Sequence, residues 1–210
     1  MKRFVQYLLI GLLISVSQFW QMNIKAQSNF SKTKGAIGIT YSGLGDNYAF
    51  YFQNIIGAGD YAGKGYYSLG ITYVRPLTKS VDIETGISFS KFSYKFSNVS
   101  LGPDAPEPYD VINAVVDIPV TFEWTFLNYF FLNGGLLLGI DTEKENHLDS
   151  QTGIGAMIGL GVKYDLKNEP LGMFVNPYYK IHSLIPFSME RYNIRTDESG
   201  FRFGIVYYLH

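Results

Sequence analysis

The sequence contains no cysteine, few charged residues and, beyond its first twenty residues, no long hydrophobic run. The absence of cysteine excludes a disulfide-bonded scaffold, thiolate metal sites and a lipid-modified N-terminal cysteine. Charged residues make up only 17% of the chain, and its net charge of −1 leaves no basic surplus for binding nucleic acid. The longest later apolar stretch, residues 130–140, is interrupted by Asn133, Gly134 and Gly135, so it cannot form a membrane helix.

Tyrosine, phenylalanine and glycine are abundant, with 17, 16 and 22 copies among 210 residues. This composition is too apolar and aromatic for a disordered chain, and it lacks the Ala, Glu, Lys and Leu content of a helical bundle. The mean hydropathy is nevertheless only +0.03. The apolar residues are therefore balanced by polar ones, and their arrangement along the chain decides the fold.

The N-terminus has the order of segments found in a secretory signal peptide. A positive start at residues 1–3 precedes an apolar run at residues 4–16 and a more polar stretch. Ile24 and Ala26 occupy the −3 and −1 positions, so we expect cleavage between Ala26 and Gln27. The apolar run is shorter than the roughly 20 residues of a spanning helix, which disfavours an uncleaved anchor. We expect a signal peptide at 1–26 and one mature domain at 27–210.

The mature chain alternates between apolar and small or polar residues, which is typical of strands with two different faces. The alternation predicts eight strands, at 34–42, 66–75, 81–92, 111–124, 129–140, 152–165, 173–182 and 200–209. One face is apolar, whereas the other carries Gly, Ser, Thr, Asn and most of the charges within the strands. A soluble sandwich with its apolar face inward and a membrane barrel with its apolar face outward both fit this alternation.

The connections between these strands favour the barrel. They alternate strictly between long and short along the chain, as in membrane barrels, which have short periplasmic turns and longer extracellular loops. Apolar-face aromatics also collect next to the short turns and the C-terminus, and we expect them to form a periplasmic girdle at headgroup depth. The girdle residues are Tyr73, Trp124, Phe130, Tyr164 and Tyr207. The predicted fold is an all-β, eight-stranded, antiparallel up-and-down transmembrane β-barrel.

An eight-stranded barrel is narrow enough for side chains to fill its interior, so every enclosed charge needs a partner. The predicted inward charges are four acids and three bases, which suggests an ion-pair network that plugs the barrel. A narrow polar pore is the alternative. The network comprises Asp82, Glu84, Asp117, Glu123, Lys163, Lys180 and Arg202. Pro119 lies among these residues and cannot donate to a strand ladder, so we expect a bulge there.

Two segments carry a resemblance to a known family. Residues 116–124, which contain Asp117, Ile118 and Pro119, and the following Asn133-Gly134-Gly135 resemble the small outer-membrane β-barrel domain of Bacteroidetes, the PorT-like group. The similarity extends over about residues 35–210. It implies an outer-membrane location and, for PorT-like members, a part in protein secretion.

The last strand resembles the signal that the barrel-assembly machinery reads. Arg202, Gly204, Tyr207 and Leu209 occupy its polar, glycine, aromatic and apolar positions. His210 departs from the pattern, because such barrels often end on an aromatic residue. The resemblance implies that this machinery is a partner of the chain.

Candidate chemistry is sparse. His182 and Ser183 suggest a hydrolase, but adjacent strand residues point to opposite faces and could not pair as base and nucleophile. His147, His182 and His210 fall in separate elements. The acidic loop with Asp141, Glu143, Glu145 and Asp149 lacks the glycine of a calcium loop, so we expect a solvated loop. Asp82 and Glu84 share a face like paired catalytic carboxylates, but a network inside a barrel is the simpler use.

We therefore expect a non-enzymatic protein of the cell outer membrane with no cofactor and no bound metal. Its expected partners are outer-membrane lipid, the assembly machinery and an extracellular ligand or protein reached through the loops. A narrow channel, a lipid-modifying enzyme and a soluble periplasmic β-protein are the alternatives. The apolar loop at 43–65 could pack on itself, extend the hairpin beyond the membrane or bind a partner; an additional strand within 48–56 is also open.

Overall fold

The computed structural model describes residues 34–51, 59–97, 107–143, 148–188 and 194–209. The predicted signal peptide, with its cleavage point between Ala26 and Gln27, lies outside these ranges. So do His147, Glu145 and His210, together with residues 52–56 of the suspected extra strand. None of the described residues forms a helix that is long and apolar enough to cross a membrane.

Eight antiparallel strands form a closed ring, which confirms the predicted fold class. Each strand pairs with its neighbours in sequence, and β1 pairs with β8 from Gly35–Leu209 upward to close the barrel. The strands are β1 Gly35–Tyr51, β2 Asp60–Pro76, β3 Val81–Ser97, β4 Tyr109–Phe126, β5 Phe130–Asp141, β6 Gly153–Asp165, β7 Leu171–Pro186 and β8 Ile194–Leu209.

The connections between the strands keep the predicted alternation of length. Those at 77–80, 127–129 and 166–170 are short, whereas those at 52–59, 98–108, 142–152 and 187–193 are longer. The first short turn is fastened by Thr78, whose hydroxyl accepts hydrogen bonds from the backbone N–H groups of Ser80 and Val81. In the second, Leu127 and Asn128 both adopt a positive φ, which lets the chain reverse within three residues. One end of the barrel is therefore flat, and we call it the short-turn end.

The apolar face of the strands points outward, so the sandwich alternative is wrong. Ile39 has 63% of its surface exposed, and Leu136 and Ile158 have almost as much. The five aromatic side chains expected in the girdle also point outward and lie near the short-turn end. Phe126 stacks between two of them, with ring centroids 5.4 Å from Trp124 and 6.0 Å from Phe130.

The height of this outer apolar band matches a bilayer. On β5 it runs from Phe130 to Ile140, both exposed on the outer face. Ten residues of strand cover roughly 33 Å, and a tilt of about 40° reduces this to roughly 25 Å along the barrel axis, the usual height of the apolar band of a membrane barrel.

All strands except β5 and β6 are longer than predicted, chiefly at the end opposite the short turns. β1 continues to Tyr51, so residues 48–51 extend the first strand, and β2 already begins at Asp60. The predicted loop at 43–65 is thus mostly strand. Residues 43–51 extend the hairpin beyond the apolar band, as one of the alternatives for this loop proposed, and they belong to β1 and not to an additional strand. β3 likewise continues to Ser97 and β8 begins at Ile194. The barrel therefore rises beyond its apolar band.

The bulge expected at Pro119 is absent. Pro119 pairs with Leu137 of β5 in unbroken register. On the β3 side, pairing stops at Thr85–Val120 and resumes at Ser88–Asp117 without any shift. The ring of Pro119 is accommodated by a short interruption of this ladder, because the missing N–H removes a hydrogen bond without requiring an additional residue.

Candidate functional site

The interior near the short-turn end holds two groups of paired charges. Lys163 lies 2.6 Å from Glu123 and 3.7 Å from Asp82, measured from its Nζ to the nearest carboxylate oxygens. Deeper inside, the guanidinium of Arg202 donates to both oxygens of Glu84, at 2.7 and 3.1 Å. These five of the seven predicted network residues are therefore joined in two separate sets. Glu84, Glu123 and Arg202 are buried and about a fifth of Asp82 and Lys163 stays exposed, and each charge is compensated by a partner of opposite sign.

A third group lies beyond Arg202 and contains the other two predicted residues. Lys180 Nζ is 2.7 Å from Glu198 Oε1 and 3.4 Å from Asp117 Oδ2. The ring of His182 lies between the same two acids, with Nδ1 3.3 Å from Asp117 and Nε2 4.0 Å from Glu198. Tyr178 completes the group by donating to Glu198 at 3.0 Å. All of these side chains are buried.

The prediction therefore omitted Glu198 and His182 from the interior charges. Glu198 was missed because β8 was expected to begin at residue 200, two residues after it. His182 was placed at the end of β7 and considered only as a catalytic candidate. An inward position was nevertheless readable for both, because they continue the two-residue period of Arg202 and Lys180.

Glycines on the inner wall make room for this packing. A Cβ at Gly204 would collide with the ring of Phe174, over which the Arg202 guanidinium lies at 5.1 Å from the centroid. A Cβ at Gly159 would lie 2.6 to 2.9 Å from the amides of Asn133 and Asn176, which are hydrogen-bonded to each other at 3.2 Å.

The cavity found among the interior charges is small. A cavity of about 30 Å³ lies among Ser42, Glu84, Asp117, Lys180 and Arg202. A volume of this size holds one or two water molecules. The interior is therefore filled by side chains at this height.

Beyond the apolar band the interior changes from charged to aromatic. Tyr66, Phe92, Tyr94 and Tyr178 are buried there, and Leu148 from the β5–β6 connection packs among the same cluster. Tyr178 links the cluster to the charges, because its hydroxyl is 3.0 Å from that of Tyr66 and also lies 3.0 Å from Glu198 Oε1. An apolar core is the expected arrangement here, since water rather than lipid surrounds a barrel that rises out of the membrane.

Two buried side-chain amides replace missing backbone pairing at this end. Pairing of β1 with β2 ends at Ser42–Ser68; further along, Asn47 accepts from Gly65 N at 2.8 Å and donates to Ser93 O at 3.1 Å. Asn47 thereby connects three strands.

Gln151 performs the equivalent task between β7 and β8. Their pairing ends at Ile181–Asp197, and the Gln151 amide then accepts from Thr196 N at 3.0 Å and donates to Ile194 O at 2.9 Å. Asp149 adds a bond by accepting from Ile194 N at 2.7 Å. Segment 148–151 therefore closes the barrel wall where β7 has turned away.

The prediction of a solvated acidic loop is therefore wrong for two of its residues, Asp141 and Asp149, which both accept backbone hydrogen bonds. Asp141 accepts hydrogen bonds from the backbone N–H groups of Glu143 and Gln151, both at 3.0 Å, and Asp149 binds β8. Within the described ranges, His, Asp and Glu side chains form no group of three or more that could hold a metal ion.

The alternation that was used to separate His182 from Ser183 does not hold at this point. Ser183 has φ 46° and is as buried as His182, because β7 has an irregularity opposite Ile154 and Ala156 of β6. The Ser183 hydroxyl donates to Thr152 O at 3.4 Å, while the His182 ring faces Asp117 and Glu198. Each side chain thus has a different partner.

The four residues of the expected assembly signal lie on β8, the strand that closes the barrel. Arg202 and Gly204 face the interior, and Tyr207 faces outward with half of its surface exposed. Leu209 pairs with Gly35 at the start of β1. The structure thus places the signal at the junction between the first and last strands.

Fold and interior together define a small closed membrane β-barrel with a polar, filled lumen. A model of the outer membrane protein beta-barrel domain matches residues 21–185, which is 165 of the 210 residues. The chain belongs to this family, and membership implies a location in the outer membrane.

The chain is also similar, at low identity, to two solved structures. The outer membrane protein OprG from Pseudomonas aeruginosa is 13% identical, with a TM-score of 0.45, covering 85% of this chain and 97% of OprG. The translocator domain of the autotransporter NalP from Neisseria meningitidis is 10% identical, with a TM-score of 0.32, covering 85% of this chain and 90% of that domain. Among curated protein sequences, none matches the chain significantly.

Proposed function

We propose that this protein is a closed, non-enzymatic outer-membrane barrel that acts through the end opposite its short turns. The observation that carries the proposal is the interior packed with three groups of paired charges, two of which surround a cavity of about 30 Å³. A solute pathway needs a continuous opening, whereas the Lys163, Arg202 and Lys180 groups succeed one another along the interior. The end opposite the short turns carries the long connections, and loops of this kind commonly carry the binding residues of a rigid scaffold.

The orientation follows from the connections. Membrane barrels of this type keep short turns on the periplasmic side and longer loops outside the cell. In this orientation the aromatic girdle lies at the periplasmic interface; it consists of Tyr73, Trp124, Phe130, Tyr164 and Tyr207. The buried aromatic cluster and the long connections then lie on the extracellular side. The match of residues 116–135 to the PorT-like pattern supports assignment to that Bacteroidetes group and a part in protein secretion as the finer form of the proposal.

Conductance in a planar bilayer tests the closed state. The native protein is compared with an R202A/K180A variant, in which two cations of the interior are truncated; both are refolded in vitro, and heat-modifiable gel migration selects the folded fraction of each. We expect no steady openings from the native protein and measurable openings from the variant. A steady conductance of porin size in the native protein would overturn the proposal and favour the channel alternative.

Two further assays separate the remaining alternatives. Outer-membrane fractionation with heat-modifiable gel migration checks insertion, because a folded membrane barrel migrates differently before and after boiling. Incubation with lipid A followed by mass spectrometry checks the lipid-modifying alternative. Release of an acyl chain by native protein, abolished in H182A, would replace the non-enzymatic proposal.

A further inference from the structure

The ring of His182 has a carboxylate beside each of its two nitrogens. Nδ1 lies 3.3 Å from Asp117 Oδ1, and Nε2 lies 4.0 Å from Glu198 Oε2. A neutral imidazole carries one N–H donor and one lone pair, whereas an imidazolium donates from both nitrogens. A neutral ring in this position would turn its lone pair toward one of the two carboxylates, so the charged ring is the form that suits both.

The charges in contact with the ring lead to the same result. One lysine serves both acids, because Lys180 Nζ lies 3.4 Å from Asp117 Oδ2 and 2.7 Å from Glu198 Oε1. The side chains of these three residues and of His182 are all at least nine-tenths buried. Two carboxylates and one ammonium leave a buried charge of −1 when the ring is neutral, and no net charge when the ring is protonated. A buried charge without a partner is costly, which favours the protonated form.

The other charged residues near the ring do not supply the missing cation. Arg202, the next cation along β8, donates to both oxygens of Glu84. Arg195 and Asp197 are of opposite sign and lie together on the outward face of β8, since they alternate with its inward residues. Asp149, which binds the backbone of β8, adds a further negative charge. Among the described residues, the ring itself is therefore the group that can balance the two carboxylates.

Uncharged side chains form the rest of the wall around the ring. Phe92 of β3 meets it edge-on, with 5.2 Å between the ring centroids. The tyrosines on this part of the inner wall, Tyr66, Tyr94 and Tyr178, all have hydrogen-bonded hydroxyls. On β5 and β6 the inward residues at this height are Leu137, Gly139, Gly155 and Met157. Such surroundings strengthen the interaction between the ring and its two acids, so the charge of the ring governs the stability of this region.

We propose that His182 is held as an imidazolium and acts as a proton-dependent latch inside the barrel. The ring belongs to β7, and the two carboxylates belong to β4 and β8, so the protonated ring ties opposite walls of the barrel together. Loss of the proton leaves two carboxylates facing one ammonium and a lone pair, which weakens this connection. The barrel is therefore most firmly held at acid and neutral pH and loosens as the pH rises.

NMR measures the protonation state of the ring directly. Histidine labelled with ¹⁵N is incorporated into H147Q/H210Q, in which His182 is the one remaining histidine, and gel migration selects the folded fraction. We expect both ring nitrogens to carry protons at about pH 7.5, where about nine-tenths of ordinary histidines have lost theirs. A ring with a single protonated nitrogen at this pH would overturn the proposal.

Urea unfolding in lipid vesicles at about pH 7 and about pH 8 measures how the proton affects stability. The native protein is compared with H182Q, whose side chain is uncharged at either pH. A histidine of the unfolded chain is mostly neutral in this range, so folding takes up a proton. The folding equilibrium constant of the native protein, relative to H182Q, should fall about eightfold over this pH unit. A ratio that stays constant or rises would contradict the proposal.

D117N is the matched charge control. With this acid neutralised, Lys180 balances Glu198, and a neutral ring can donate to Glu198 while it accepts from the new amide. The ratio of D117N to D117N/H182Q should therefore change less than about threefold over the same pH unit. An undiminished eightfold change would show that the two acids do not hold the proton, and it would refute the latch. The proposed closed state is tested by conductance and does not depend on the charge of this ring, so either proposal can fail alone.

Discussion

Removing the Arg202 guanidinium should destabilise the barrel strongly, because it leaves the Glu84 carboxylate buried without its partner. The two side chains form two charge-assisted hydrogen bonds, at 2.7 and 3.1 Å, and both are buried. Truncation of one member of a buried pair costs about 3–5 kcal/mol. We therefore expect R202M to lower the free energy of unfolding by about 4 kcal/mol, close to a thousandfold in the folding equilibrium.

Replacing both partners should be far less harmful than replacing one. In E84L/R202M no charge is left uncompensated, and exchanges of buried pairs for apolar residues are often neutral. We expect the double variant to recover at least half of the loss, which gives a coupling energy of about 2 kcal/mol or more.

Urea unfolding in lipid vesicles measures these quantities, with tryptophan fluorescence and gel migration as two independent readouts. Refolding in vitro avoids the confounding effect of Arg202 on assembly in the cell. K79M, an exposed site at the short-turn end, is the control and should change stability by less than about 0.5 kcal/mol. A loss below about 1 kcal/mol for R202M, or additive losses in the double variant, would show that the interior is hydrated and refute the reasoning.

Three other predictions concern the barrel wall. Q151A leaves two buried backbone groups without partners and should cost about 2–4 kcal/mol, with faster hydrogen exchange confined to residues 194–196; unchanged exchange there would contradict the bridging role. Trp124 is the only tryptophan outside the predicted signal peptide. In protein refolded from residues 27–210, lipids brominated near the headgroup should quench its fluorescence more than lipids brominated near the chain end, and the reverse order would place it away from the interface. G204V should lose about 1–3 kcal/mol through its clash with Phe174, whereas an unchanged unfolding midpoint would mean that the ring moves aside freely.

The architecture could be predicted from the sequence because two independent patterns agree on it. Alternation of residue type gives the strands, and alternation of connection length gives the up-and-down order. The parity of the connections excludes the sandwich, because a soluble core does not require long and short links to alternate. The outward apolar face of a barrel places the polar face inside, and all seven predicted interior charges lie in ion pairs in the structure.

The upper parts of β1, β2, β3, β7 and β8 were missed because the alternation reverses without any change in backbone direction. On β3, Ile87 and Phe89 face outward within the apolar band, and the next outward residue is Lys91. Inward positions change in the opposite sense, from Ser90 to Phe92 and Tyr94. A reversal of polarity resembles the end of a strand, although here it marks the surface of the membrane.

Local irregularities were beyond the same reasoning. The positive φ of Ser183 and the uninterrupted register through Pro119 depend on how the neighbouring strands pair with these positions, which residue type alone does not indicate. Gln151 offered no signal either, because its role arises from a gap between β7 and β8 that exists only once the barrel has closed.

The apolar band has a further consequence for the kind of membrane in which the barrel fits. It is bounded by aromatic rings at one edge and by Lys91 at the other, so the barrel cannot slide along the bilayer normal without moving a charge into hydrocarbon. A rigid closed sheet also cannot tilt or kink as a single helix does. A bilayer thicker than the band must therefore thin around the barrel, and its elastic strain would draw together barrels of similar height.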